Sequence, residues 1–354
     1  MQAFFWEDIV GYLFAFSLAL LYVLKLDIRR WNDKGFDNLI VGVIVAYIIL
    51  VFGSRSADVG KDTAAYIDTF NRVAGMGNLT LALQGVKGDL LFYVFTYICT
   101  RFFSSQIYLA LMVVLLMWPV TAFTYRITAT KRSLLLLTFV SFFFFQAIGI
   151  NIIRNGVALG FTILYFGMHR KEDTWKKILC AVVASFFHLS VVAIFLADLA
   201  IRKIKDIRLY YALLAVVSVA AYMGFGFNNI PFVSELVSLD RISGYTDNLN
   251  DYKVGFRIDF WAFNMIFVVI GHFGNRLEQN EFYTRIFKLY LVMTAVFYLC
   301  FNIAFSDRFG LLSWIFIPVI LFYPLLKMRA PAFKHLYYLI FILAMKLFSI
   351  TFFK

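Results

Sequence analysis

The feature that most constrains this chain is a succession of long apolar runs separated by short charged turns. The candidate segments are Asp8–Leu26, Asn38–Ser54, Asp89–Phe103, Gln106–Ile127, Ser133–Ile148, Arg154–His169, Ile178–Ala200, Ile207–Phe225, Arg257–Phe273, Ile286–Phe305, Phe309–Leu326 and Phe333–Phe353. A helix needs about 20 apolar residues to cross the hydrocarbon core of a bilayer. Continuous runs, rather than short alternating ones, exclude a β-barrel. Of the 354 residues, 62% are hydrophobic and 15% charged, too few charges to coat a soluble domain. The expected fold is therefore all-α and polytopic, with roughly 10–12 membrane helices, some of them short or re-entrant. Residues 1–354 are expected to form a single membrane domain with a polar cavity at the outer leaflet. Glu7 and Asp8 precede the first run, and no small-residue cleavage site follows it, so this segment reads as a retained helix.

Lysines and arginines in short loops set the orientation. Lys25, Arg29, Arg30 and Lys34 place the first loop in the cytoplasm, which puts residues 55–88 outside. Later basic clusters, such as Arg126–Arg132 and Arg202–Arg208, also belong inside. Strict alternation cannot satisfy them all. Two adjustments restore the count: Asp89–Phe103 as a half-helix at the outer side, and Ile178–Ala200 as two short helices broken near His188. Irregular backbone at membrane depth is tolerated only beside a protein-buried or wet cavity, so both segments are cavity candidates. The loop 226–256 is long, aromatic and mixed in charge, which marks it as a second functional outer loop.

The net charge of +12 is explained by topology and anionic lipid, and nucleic acid is not an expected partner. Cys99, Cys180 and Cys300 lie inside apolar runs without metal-like spacing, and the four histidines are scattered. No protein-held metal and no cofactor are expected. There is no nucleophile elbow, zinc-protease motif or P-loop.

Polar residues set against membrane segments must meet water, one another or a ligand. The stretch Phe52–Phe70 packs Arg55, Asp58, Lys61, Asp62 and Tyr66 into a dozen residues. The outward arginines, among them Arg55, Arg154, Arg241, Arg257 and Arg308, run against the inside-positive trend. Guanidinium groups bind phosphate in a fork and stay charged, so converging arginines suit a pyrophosphate-linked lipid. The ordinary alternatives are snorkelling and salt bridges such as Arg257–Asp259 and Arg308–Asp307. His188, in the middle of a run, is a candidate base for a sugar hydroxyl; the alternative is a hydrogen bond to Ser185 or a helix carbonyl. Asp58, Asp62 and Asp307 are rival bases or arginine partners. Asp198 stands four residues before Arg202, as in a helix-end salt bridge. Gly156 and Gly160 permit close helix packing, and Tyr66, Tyr245 and Tyr252 offer stacking faces for sugars.

Arg55, Val59, Gly60, Asp62, Thr63, Tyr66 and Phe70 together resemble a signature of the EpsG-like, Wzy-type polysaccharide polymerases. Asn151, Arg154, Asn155 and Ala158 are similar to a second segment of that family, and His188 with Ser190 to a third. Asn155 stands where Gln is usual, and Lys61 where a small residue is common. The resemblance implies a glycosyltransferase of the bacterial inner membrane, an O-antigen or exopolysaccharide polymerase working at the periplasmic face. Its implied substrates are undecaprenyl-pyrophosphate-linked oligosaccharide repeats, and its expected partners are membrane lipids and a chain-length-regulating co-polymerase. In this reading Arg154, Arg257 and Arg308 hold pyrophosphate, with Arg55, Gly60, Tyr66 and Arg241 contributing to substrate binding. Asp62 orients Arg55, and His188 or an acidic residue assists the acceptor. The competing readings are a lipid-glycan ligase and a flippase for lipid-linked glycans.

Overall fold

The computed structural model describes residues 34–86, 88–169, 171–229, 254–278, 280–303 and 305–327. The expected segments Asp8–Leu26 and Phe333–Phe353, and with them Arg241, Tyr245 and Tyr252, lie outside these residues. Every regular element among the described residues is helical. Four helical stretches there are long and apolar enough to cross a membrane, or five if one bent pair is a single span; shorter apolar helices accompany them. The chain is an all-α polytopic membrane protein. It separates into two compact units, one holding the described residues up to Val191 and the other running from Val192 to Met328.

In the first unit, α1 (Lys34–Gly53), α2 (Thr63–Ala74), α3 (Leu79–Leu83), α4 (Leu90–Phe102) and α5 (Ser105–Ile127) lead to α6 (Arg132–Ser141), α7 (Phe143–Ile150), α8 (Ile153–Gly167) and α9 (Thr174–Phe187). The expected outer loop 55–88 is thus partly helical. α5 is the central helix: Tyr108, Leu109, Met112, Val113, Leu116, Met117, Val120 and Phe123 are all fully enclosed. α1 and α8 pack on it. Helix association in lipid rests on close van der Waals contact, and Gly160 provides it. A Cβ there would stand 3.0 Å from Pro119 Cγ and 3.2 Å from the Leu116 carbonyl oxygen.

Two elements differ from the segments read in the sequence. Ser133–Ile148 is not one helix: α6 and the run Phe144–Ile150 meet at 79°, with Phe142 extended between them. No Pro or Gly marks the break in the sequence. Phe142, Phe144 and Phe145 are buried on its two sides, so packing rather than local propensity imposes it. The start of α6 is capped from another helix. Lys131 at its N-cap lies in the left-handed region, and fully buried Asp37 of α1 accepts from Arg132 N at 2.9 Å, Ser133 N at 3.0 Å and Ser133 Oγ at 2.6 Å instead.

The segment Ile178–Ala200 divides where the sequence placed the break. α9 ends at Phe187, His188 is extended (φ −158°, ψ 122°), and a 3₁₀ turn over Leu189–Val191 leads to α10 (Val192–Lys203).

The second unit comprises α10, α11 (Ile207–Tyr222), α12 (Ile258–Glu278), α13 (Glu281–Leu299), α14 (Asp307–Trp314) and α15 (Ile317–Lys327). Its aromatic core of Phe260, Phe263, Phe297 and Trp314 encloses Asn264. That amide donates to the Phe260 carbonyl at 2.8 Å and accepts from Tyr290 Oη at 3.0 Å and Trp314 Nε1 at 3.1 Å. Asp198, fully buried, accepts from Arg202 Nη2 at 2.7 Å, the helix-end pair expected from spacing. Arg285 adds a fork to the same carboxylate, Nε at 2.6 Å and Nη2 at 2.5 Å.

Candidate functional site

The polar stretch after α1 is tied down at several points. Gln106 Nε2 donates to the carbonyls of Gly53 at 2.6 Å and Arg55 at 3.2 Å, which satisfies groups at the end of α1. Arg55 turns inward and is only 1% exposed. Its Nε donates to Thr63 Oγ1 at 3.0 Å and its Nη1 to the Phe52 carbonyl at 2.5 Å, so Thr63 and Phe52 hold it in place. Burial lowers its pKa to about 10, still charged at neutral pH. Nη2 is buried without a protein partner.

Gly60 has φ +80°, and a Cβ there would stand 2.5 Å from Asn151 Oδ1. That same oxygen accepts from Lys61 N at 2.9 Å. The glycine is needed twice, for a left-handed backbone and for the approach of the asparagine. Two motifs separated by 90 residues in sequence are joined at this point.

α2 is amphipathic and turns Thr63, Tyr66, Phe70 and Val73 inward. Tyr66 packs edge-on against Phe92 of α4, and Phe70 lies 5.1 Å from the Tyr108 ring of α5. Burial raises the Tyr66 pKa, while the Arg154 guanidinium pulls it the other way. Asp62 occupies the N-cap of α2 without capping it through its side chain. Asp58 is exposed, and a hydrogen bond from Ser56 holds its carboxyl below the usual range.

Asp89 is the residue around which the remaining polar groups gather, and sequence reading missed it. It is 5% exposed and lies in the left-handed region (φ 53°, ψ 36°) at the N-cap of α4. Aspartate at an N-cap ordinarily accepts from its own helix. This one makes no such bond. Its Oδ2 accepts from Arg154 Nη1 at 3.0 Å and its Oδ1 from His188 Nδ1 at 3.2 Å. The forgone cap costs about 1 kcal/mol, and a bond to a charged group contributes about 1.5–3 kcal/mol, so the side chain is better used this way. His188 is thus bound to a carboxylate and not to Ser185, whose hydroxyl donates to the Ala181 carbonyl.

The two partners reach outward from the buried carboxylate. The side chain of Arg154 is 37% exposed and that of His188 29%. Arg154 also lies 5.1 Å over the Phe92 ring and interacts with the Tyr66 hydroxyl. The pattern leaves guanidinium donors for an anionic ligand. An ionised carboxylate only accepts, so Nδ1 is the donor in this contact. Asn155 Oδ1 and Ser190 Oγ, close in sequence to Arg154 and His188, are buried without protein partners. Unsatisfied buried polar atoms are uncommon and concentrate where ligands or chemistry act.

The structure thus gathers Arg154 and His188 around one carboxylate, with Tyr66 against Arg154 and with Gly60 and Arg55 in the neighbouring loop residues. Arg257 and Arg308 belong to the second unit. Arg257 forks onto Asp259, Nε at 2.9 Å and Nη2 at 2.5 Å, and lies 4.3 Å over Phe260; the expected local salt bridge is formed. Arg308 lies 5.1 Å over the ring of Phe305. Arg101 serves structure: its Nη2 donates to the carbonyls of Met76 at 2.7 Å and Val73 at 3.3 Å, at the end of α2.

The EpsG family model matches residues 38–354. No curated protein and no solved structure matches the chain.

Proposed function

Since the chain belongs to the EpsG family, we propose that it is an O-antigen or exopolysaccharide polymerase of the bacterial inner membrane, with its site facing the periplasm. The observation that carries this reading is Asp89 binding Arg154 and His188 together. The pair offers what transfer from a pyrophosphate carrier requires, a fixed cation for the leaving group and a base for the incoming hydroxyl.

The donor in this reading is a growing glycan on undecaprenyl pyrophosphate, and the acceptor is a fresh lipid-linked repeat. His188 Nε2 takes the proton of the acceptor hydroxyl. The freed oxygen attacks the anomeric carbon of the donor, and a new C–O bond forms. The bond from that carbon to the pyrophosphate oxygen breaks, and its electron pair leaves with undecaprenyl pyrophosphate. Arg154 offsets the charge that develops there, by preorganised electrostatics rather than by motion at the moment of reaction. Holding the two lipid-linked reactants in register supplies the rest of the acceleration. Tyr66, packed against Phe92 beneath Arg154, keeps the guanidinium in place.

Deletion of the gene tests this. A strain without the polymerase carries a surface glycan of one capped repeat. A strain lacking a flippase or a ligase carries none, and either of those readings then replaces this one. Retention of full-length chains overturns it.

A further inference from the structure

The hold that Asp89 has on His188 carries an inference of its own. The residue gives up the cap of its own helix, adopts a backbone conformation uncommon for a residue with a side chain, and buries its charge. Strain of this kind persists only where the surroundings enforce it, and it concentrates at functional sites. What the strain achieves is geometric. One oxygen points at Arg154 of α8 and the other at His188, just past the end of α9. His188 itself stands at the end of α9, in extended backbone, where the helix no longer dictates the direction of its ring.

We propose that Asp89 is a positioning residue that fixes His188 in the Nδ1–H form, so that Nε2 presents its lone pair to the acceptor hydroxyl at a set distance from Arg154. This rests on the polymerase reading for its purpose, although the hold on the ring can be measured without it. During transfer the Nδ1 proton stays where it is, bonded to Asp89 Oδ1. Nε2 gains the hydroxyl proton, and the resulting imidazolium faces a carboxylate rather than apolar packing. The charged and titratable groups around the carboxylate are Arg154 and His188 themselves, with Tyr66 and Tyr93 acting on Arg154.

The test uses the full-length protein in bilayers with ¹⁵N-labelled histidine. His188→Gln identifies the His188 signals, and His169 and His272 report whether each variant keeps its fold. For neutral His188 the expected spectrum is a protonated Nδ1 and a bare Nε2. In Asp89→Asn and Asp89→Ala the Nδ1–H population falls and an Nε2–H signal rises, with the other histidines unchanged. Turnover is measured with lipid-linked repeats extracted from a strain lacking the polymerase. Asp89→Asn is expected to lower kcat by about 10²–10⁴-fold with KM within about threefold.

A His188 ring that keeps its form in both variants overturns the proposal. So does a KM that rises while kcat holds, which would make Asp89 a partner of Arg154 alone. A wild-type protein that leaves the repeats unextended overturns the polymerase reading, and with it the purpose assigned to Asp89, even where the spectra show the ring held.

Discussion

In each unit of this protein a buried aspartate, Asp89 in one and Asp198 in the other, receives two cationic or titratable side chains, and the two sites are built differently. Asp198 sits inside a helix, fully enclosed, and is saturated by Arg202 and a forked Arg285. All of its partners are permanently charged. Asp89 stands at a helix start in a strained conformation, and one of its partners is a histidine. Arginines on a buried carboxylate make a fixed tie. A histidine beside an arginine, both partly open to the outside, makes a site in which a proton can move. The number of ionic contacts does not separate structure from chemistry here, nor does the exposure of the partners, 50% and 23% at Asp198 against 37% and 29% at Asp89; their titratability does.

The comparison can be broken most directly at Arg154. Arg154→Ala is expected to abolish polymerisation, a loss of at least about 10³-fold, while the protein accumulates normally; Lys should restore only part, because it lacks the fork. Chain-length distribution of the surface glycan, read beside protein abundance, decides this. Normal chains from Arg154→Ala would remove the functional half of the contrast.

Asp198→Asn should act on the fold instead. It leaves the partly buried Arg285 and the exposed Arg202 facing a buried neutral amide, a loss of about 1–3 kcal/mol, seen as low abundance and early unfolding in detergent. Any activity loss should follow the amount of protein, and the double variant Asp198→Leu, Arg285→Met should recover most of the stability. If Asp198→Asn protein is plentiful yet inactive, the second carboxylate is not the structural tie described.

Smaller effects sharpen the picture around the site. Gly60→Ala combines a left-handed backbone with a clash on Asn151 and should destabilise by about 1–3 kcal/mol. In a double-mutant cycle with Asn151→Ala the two losses should be non-additive, since one contact is removed twice. Arg101→Ala, at exposed carbonyls ending α2, should cost no more than about 1 kcal/mol and leave chain length unchanged.

Much of this was legible before any coordinates. Apolar runs gave the fold class, because a chain with so few charges has no other way to satisfy its backbone. Charge counting over loops placed a break at His188, and it lies there. Spacing alone gave Asp198 with Arg202. The bend between α6 and α7 was hidden, since nothing in a run of phenylalanines marks it and only packing on α5 and its neighbours decides it. Asp89 was hidden for a different reason. As the first polar residue before an apolar helix it looks like an ordinary cap, and its partners lie 65 and 99 residues away. Only the left-handed turn, which swings its side chain off its own helix, reveals its use. Arg55 shows the converse: its motif drew attention, but its guanidinium is spent largely on the loop that carries it.

The length of α4 has a consequence for the surrounding lipid. Its 13 residues reach about 20 Å, against a hydrocarbon layer of about 30 Å, and Ile98 and Phe102 on it are exposed among the described residues. A helix of this length either ends within the bilayer or requires the acyl chains beside it to compress, each ångström of mismatch adding a fraction of a kcal/mol.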